Sequence, residues 1–259
     1  LDSPTIDSGR VYVANVGDVI YALEASNGSL VWRHEQALDP VRESPLQLYG
    51  APSPTLTDEL VLFGAHDGTL VALDREEGNR LWQRKVGEGR YPDILGEPVL
   101  RDGDAILAGF SEPLISLDLE TRNIRWRLKA GGVQAAVIED RTIYHGGTDG
   151  NLRSVDAVTG NVNWTWELKR GGTLGEPVVT PAGVMVASSA GGLFLIDRDS
   201  GKQKWKLEPE YRISGVTAGI AVDGRQVVIT TNAGNLMSLI VPQQEPDLTS
   251  GMLKGLGQR

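Results

Sequence analysis

His34, His66 and His145 are the only histidines in the chain, and their surroundings do not match. One follows a tryptophan, one precedes an Asp-Gly turn, and one ends a run of β-branched and aromatic residues. No two are spaced as ligands of one metal, so they read as surface or turn residues. There is no cysteine, which removes thiolate nucleophiles, disulfides and thiolate-bound metals. The sequence contains no Gly-x-Ser-x-Gly elbow, phosphate loop or zinc-binding helix motif. Glu97 and Glu176 are the acids with a positional logic, since each sits in a "GEPV" at the head of a repeat. Two carboxylates aimed at a common axis could hold a hard cation; the plainer reading caps strand starts or leaves them in solvent. Side-chain chemistry is sparse, and attention moves to the elements that carry it.

The chain has 259 residues, with 25 Lys and Arg against 34 Asp and Glu, a net charge of −9. That balance argues against a phosphate-binding face and against an anionic lipid surface. It suits either a well-solvated surface or an acidic docking face. A hydrophobic content of 40% is enough for a core, and no apolar run approaches the ~20 residues of a spanning helix. The opening "LDSPTIDSGR" lacks the basic start and apolar stretch of a signal peptide. It reads as the start of a cytosolic, mature or trimmed chain.

The dominant feature is repetition. Glu24, Asp74, Asp118, Asp156 and Asp197 each lie eight residues before a tryptophan: Trp32, Trp82, Trp126, Trp164 and Trp205. Four residues after the acid stand Gly28, Gly78, Gly160 and Gly201, with Arg122 in the third copy. The tryptophans are 50, 44, 38 and 41 residues apart. A sixth copy begins near Gly215 and ends at "NLMSLIV" without acid, glycine or tryptophan. Short runs such as "RVYVANV" and "LVLFGAH" have strand composition, and Asp-Gly or Gly-Gly pairs separate them.

Four strands per unit and a period near 40 predict an all-β propeller whose blades stack radially. The copies fall near 1–42, 51–88, 96–130, 133–170, 175–208 and 215–241, followed by a polar tail at 242–259 that reads as flexible. In this scheme the acid accepts N–H groups of a turn, the glycine supplies a positive φ, and the tryptophan fills the core. Burying ~200 Å² per indole gives at most about 5 kcal/mol each.

"ALDREEGNRLW", "SVDAVTGNVNW" and "LIDRDSGKQKW" resemble the pyrroloquinoline-quinone-like propeller repeat, most carriers of which bind no quinone. Between blades, "LQLYGAPSPT" (46–55) resembles the Leu-x-Leu-Arg-Gly loop of the BamB-like family of outer-membrane β-barrel assembly lipoproteins. The next linker, "GRYPDILGEPV" (89–99), resembles that family's Arg-x-x-Asp-x-Asp loop. The resemblance spans Leu1 to Val241 and implies a non-catalytic, cofactor-free periplasmic scaffold on a lipid anchor. Its implied partners are the POTRA domains of a BamA-like protein, through loops 43–55 and 88–97, together with unfolded outer-membrane proteins. By implication Leu46, Leu48, Gly50, Arg90 and Asp93 are contact residues. Tyr49 stands where the family has arginine and Leu95 where it has the second aspartate, so charged contacts give way to apolar ones. The family's eight blades also exceed the six legible copies, and the first copy here aligns best with the family's third. Two rivals carry the same repeat: a quinoprotein dehydrogenase, which stacks its quinone on a cysteine pair over calcium, and a ligand-sensing propeller.

Overall fold

The computed structural model describes residues 4–37, 52–88, 92–109, 114–129, 136–169, 171–190, 192–207, 216, 219–231 and 234–241. Loop residues Leu46, Leu48, Tyr49, Gly50 and Arg90, and the tail 242–259, lie outside them. The described residues form 23 strands and no helix. The strands group into antiparallel sheets in simple meander order. Blade 1 comprises Thr5–Asp7, Arg10–Ala14, Val19–Glu24 and Leu30–Glu35; blade 2 comprises Thr55–Leu56, Leu60–Gly64, Thr69–Asp74 and Arg80–Lys85. Blade 3 runs from Val99–Arg101 to Ile124–Leu128, blade 4 from Val137–Glu139 to Val162–Glu167, and blade 5 from Val178–Thr180 to Gln203–Leu207. Three strands, Ala221–Asp223, Gln226–Thr230 and Leu236–Ile240, make the last sheet.

The middle strands of blades 2 to 5 are apolar because both of their faces are covered. In blade 2, Val61, Phe63, Val71 and Leu73 meet Tyr12, Ile20 and Trp32 of blade 1. Their neighbours Leu62, Leu70 and Ala72 meet Ala105, Leu107, Ile115 and Leu117 of blade 3. Strand alternation therefore divides one sheet between two cores. Similar clusters join blades 3 and 4, 4 and 5, and 5 and 6. The outer strand of blade 2, "RLWQRK", is exposed except at its tryptophan, which is half-buried. Each of the five repeat tryptophans sits opposite the residue two before the acid: Ala22, Ala72, Ser116, Ser154 and Leu195. Four of these partners are small, and the register shifts immediately after each one. This repeated bulge turns the outer strand beyond the indole.

The acid turns behave as their spacing predicts. One carboxylate oxygen of Asp74 accepts the N–H groups of Glu76 and Glu77 at 2.9 and 2.7 Å. Asp118 accepts the N–H of Thr121 at 2.7 Å. Asp156 accepts those of Val158 and Thr159 at 3.1 and 2.8 Å, and Asp197 those of Asp199 and Ser200 at 3.3 and 2.8 Å. The residue closing each turn has positive φ, from 67° to 74° at the glycines and 61° at Arg122.

These bonds are strongest to the ionised carboxylate. The Arg141 guanidinium, then the Thr159 N–H, hold Asp156 down to about 2. The Ser200 hydroxyl and N–H push Asp197 below the usual carboxylate range, and the Thr121 N–H lowers Asp118. A carboxylate whose folded-state pKa is depressed stabilises the fold above its unfolded pKa, and that stability is lost as pH falls through the folded value. For Asp156 the window runs from about pH 4 down to about pH 2. Asp156→Asn is expected to flatten the acid limb of stability in that window. Urea midpoints measured from pH 5 to 2 check this, and parallel curves for the variant and the parent would refute it.

Each tryptophan acts across the blade boundary. Trp32 donates its indole N–H to the Arg75 carbonyl of blade 2 at 3.0 Å, Trp126 to Ala157 of blade 4 at 3.0 Å, and Trp164 to Arg198 of blade 5 at 2.7 Å. In all three cases the acceptor follows the turn acid of the next blade. The indole lies flat against that turn's glycine, so a Cβ on Gly78, Gly160 or Gly201 would sit 2.5, 2.6 or 2.7 Å from the ring. At Arg122 the contact changes character, with the guanidinium 5.6 Å from the Trp82 ring centre.

Two interfaces add an arginine clamp. Arg75 donates to the Thr57 carbonyl at 2.9 Å and the Tyr12 hydroxyl at 3.3 Å, pairs with Asp7, and lies 5.8 Å from the Tyr12 ring centre. Arg198 repeats the pattern: it pairs with Glu139 at 2.7 Å and donates to the Thr180 carbonyl. Tyr144 takes the place of Tyr12, with its ring centre 6.0 Å from that of Trp164.

Candidate partner-binding surface

Among the described residues, the linkers into blades 3 and 5 lie on the same side as the hairpins between second and third strands. In blade 2 the hairpin Ala65–Gly68 closes with a Gly68 N–H to Ala65 carbonyl bond of 3.0 Å. The outer strand ends on it, where Val86 and Gly87 donate to the Gly68 carbonyl at 2.9 and 2.8 Å. The linker into blade 3 then crosses the hairpin. Ile94 donates to the Ala65 carbonyl at 3.4 Å, and Gly96 to the Ala108 carbonyl at 3.2 Å. Ile94 also bridges to Gly109, and its side chain is buried in the core between blades 2 and 3. The Pro92 carbonyl presses so closely on the hairpin that a Cβ at Gly68 would lie 2.6 Å from it. The blade 4 to blade 5 linker repeats this seat, with Leu174 donating to Gly147 at 3.3 Å and bridging to Ser188. The linker is thus a built element, locked to two blades.

Of the loop residues named from the sequence, Asp93 and Leu95 lie among the described ones. Leu95 is half-exposed. Asp93 is 0% exposed, so its carboxylate is not on the surface of the chain. The flank of the first loop is also interior, with Pro52, Ser53 and Pro54 buried. Thr5 donates its hydroxyl to the Pro54 carbonyl at 2.6 Å, and Thr55 to the Pro98 carbonyl at 2.5 Å. The inner strand of each of these blades is thereby tied to the linker entering the next.

The histidines depart from expectation. His66 and His145 are 3% and 0% exposed, so neither is a surface residue. His66 was read as a turn residue and does sit in a hairpin, but its ring points inward to Asp18 of blade 1, with Nδ1 and Oδ1 2.7 Å apart. His145 lies on the second strand of blade 4, between Tyr144 and Gly146. His34, on an outer strand, has its pKa lowered by burial. Glu97 and Glu176 are exposed and belong to blades 3 and 5, with blade 4 between them. Among the described residues no three His, Cys, Asp or Glu side chains gather as metal ligands. The Asp18–His66 pair is closed between two hairpins, so it presents no base to a substrate. What this side of the molecule offers is shape: two linkers seated on their hairpins, the first with a half-exposed leucine.

Comparison with known proteins agrees with this architecture. The crystal structure of BamB from Moraxella catarrhalis superposes with a TM-score of 0.77 at 22% identity, over 91% of this chain and 70% of that one. A quinohemoprotein alcohol dehydrogenase from Pseudomonas putida HK5 superposes at 0.71 with 16% identity, over 91% of this chain and 51% of that one, which is a likeness of fold. Outer membrane protein assembly factor BamB of Legionella pneumophila (strain Paris) is 28% identical over 203 residues, covering 76% of this chain and 52% of the relative. Its counterpart in Escherichia coli (strain K12) is 23% identical over 278 residues, covering 91% and 70%. The chain thus spans about half to 70% of the length of these curated relatives. The family model described as outer membrane protein assembly factor BamB matches residues 1–166 and 125–244, and with the repeat, the propeller and the seated linkers in agreement, this chain belongs to that family.

Proposed function

We propose that the chain is a non-catalytic scaffold of outer-membrane protein assembly, working in the periplasm as part of a protein that is itself lipid-anchored to the outer membrane. It holds the POTRA domains of a BamA-like partner against the linker side of the propeller and so assists insertion of β-barrel proteins. The observation that carries the reading is the pair of linker motifs on consecutive blade junctions of a BamB-family propeller, the second of them seated firmly on two blades. A rigid linker binds without an ordering cost, so modest contacts suffice. Tyr49 and Leu95 supply apolar contact where the family motif carries its charges, beside the matching Leu48.

Titration calorimetry against POTRA domains from the same organism tests this. The parent chain is expected to bind saturably, and Leu48→Glu with Leu95→Lys to weaken binding by at least about tenfold, or 1.4 kcal/mol. Far-UV circular dichroism should be unchanged. Asp93 is left intact because a charge reversal at a buried carboxylate would disturb the linker itself. Equal binding by the double variant would overturn the linker assignment; heat from calcium or quinone with none from POTRA domains would overturn the scaffold reading.

A further inference from the structure

Hairpins between second and third strands reach a left-handed position before the third strand begins, and blades 2 and 4 fill it with Gly68 and Gly150, at φ of 82° and 76°. Blade 1 fills it with Asp18 at φ 54°. A residue with a Cβ is strained there, so its side chain should have a use that glycine cannot supply. Asn15 holds the turn open for it, accepting the N–H groups of Gly17 and Val19 on its side-chain oxygen at 2.9 and 3.1 Å.

The Asp18 carboxylate is 3% exposed and reaches across to blade 2. It accepts the His66 backbone N–H on both oxygens, at 3.3 and 3.2 Å, and lies 2.7 Å from the His66 ring nitrogen Nδ1. A carboxylate can only accept, so Nδ1 carries a proton and the ring orientation is set. The same hairpin of blade 2 is the seat of the linker: Ala65, next to His66, accepts the Ile94 N–H, and Gly68 packs under Pro92. On the other side, the Asp18 carbonyl accepts the Gln36 N–H at 3.0 Å and so anchors the last residues of the blade 1 outer strand.

We infer that Asp18 and His66 form a positioning clasp between blades 1 and 2 that sets the placement of the Pro92–Gly96 linker on its hairpin. Neither residue touches the partner; both act through Ala65 and Ile94. In its consequence for binding, the clasp rests on the scaffold reading above. In its consequence for the linker, it does not.

Three versions of this 259-residue chain separate these: the parent, Asp18→Gly, which suits the left-handed turn and removes only the carboxylate, and Asp18→Asn, which keeps an accepting oxygen. Amide hydrogen exchange is read residue by residue. Asp18→Gly is expected to speed exchange about tenfold at His66 and Ile94 while Val71 and Val186 stay unchanged, and Asp18→Asn is expected to restore most of the protection. Unchanged exchange at Ile94 in Asp18→Gly would overturn the clasp. So would a uniform rise across all blades, which is the mark of general destabilisation. The same three proteins are then titrated with POTRA domains. Affinity that falls severalfold in Asp18→Gly and recovers in Asp18→Asn supports the clasp as a determinant of binding. If exchange responds as expected but the parent does not bind POTRA domains, the clasp stands and the scaffold reading falls.

Discussion

Trp126→Ala is expected to cost the fold about 3–5 kcal/mol, the range for removing a large core aromatic. The indole packs in the core between blades 3 and 4 and donates to the Ala157 carbonyl. Its loss leaves both a cavity and an unmatched acceptor. Gly160→Ala attacks the same contact from the other side. Alanine at the 72° φ of Gly160 costs about 1–2 kcal/mol by itself. Its Cβ would also fall 2.6 Å from the Trp126 ring, so the indole must shift. Once the indole is gone only the backbone cost remains, so the double variant should be more stable than the two single costs imply, by about 1–2 kcal/mol. Gly28 is the internal control: its φ is 73°, and a Cβ there would meet nothing within 4 Å. Gly28→Ala should therefore pay the backbone cost alone. Urea unfolding of these variants decides the matter. Equal penalties at Gly28 and Gly160, or strict additivity of Trp126→Ala with Gly160→Ala, would show that the glycine serves its turn and not the indole.

Arg75→Ala should remove about 2–3 kcal/mol, and Arg75→Lys should recover little of it. The guanidinium satisfies the Thr57 carbonyl and the Tyr12 hydroxyl in one plane, and an ammonium cannot reach both with that geometry. The ion pair contributes less, because the Asp7 side chain is 49% exposed and its field is screened. Asp7→Ala should accordingly leave the urea midpoint close to that of the parent. Arg198→Ala removes the equivalent clamp between blades 4 and 5, and the two alanine variants should add within about 0.5 kcal/mol, since they share no partner. Thermal and urea unfolding check all four. A fully stable Arg75→Lys would mean that charge, not the fork of donors, holds the interface.

The parts of this structure that depend on a few consecutive residues were legible beforehand. An acid followed by a turn and a residue of positive φ is local chemistry, so Asp74 with Gly78 and Asp156 with Gly160 could be read from their spacing. Even the exception, Arg122, adopts the glycine's backbone conformation. The acceptor of each indole was not legible. It lies 31 to 43 residues downstream, on the neighbouring blade, and nothing in the repeat says whether tryptophan and glycine meet within a unit or between units. The buried histidines were hidden for the same reason. His66 looks like a turn residue until the side chain of Asp18, 48 residues earlier, reaches it. The departure of Asp18 from glycine at a turn position was the available signal. Asp93 shows the converse limit: a motif shared with a family can fall on a buried residue.

In blades 2, 4 and 5 the tryptophan and the glycine turn occupy opposite faces of the sheet, so each of these blades has a donor side and an acceptor side. Contacts of this head-to-tail kind have polarity, and they build rings or open stacks according to the rotation per step, as subunits do in a filament. Trp82 of blade 2 faces forward while Gly78 of the same blade faces back. Whole blades should therefore be interchangeable in a way that single residues are not. Exchange of a complete blade carries both halves of the code together, whereas a change in one turn is registered by the neighbour. A chimera cut between blades keeps its grammar; one cut between the glycine and tryptophan of a single blade mixes two.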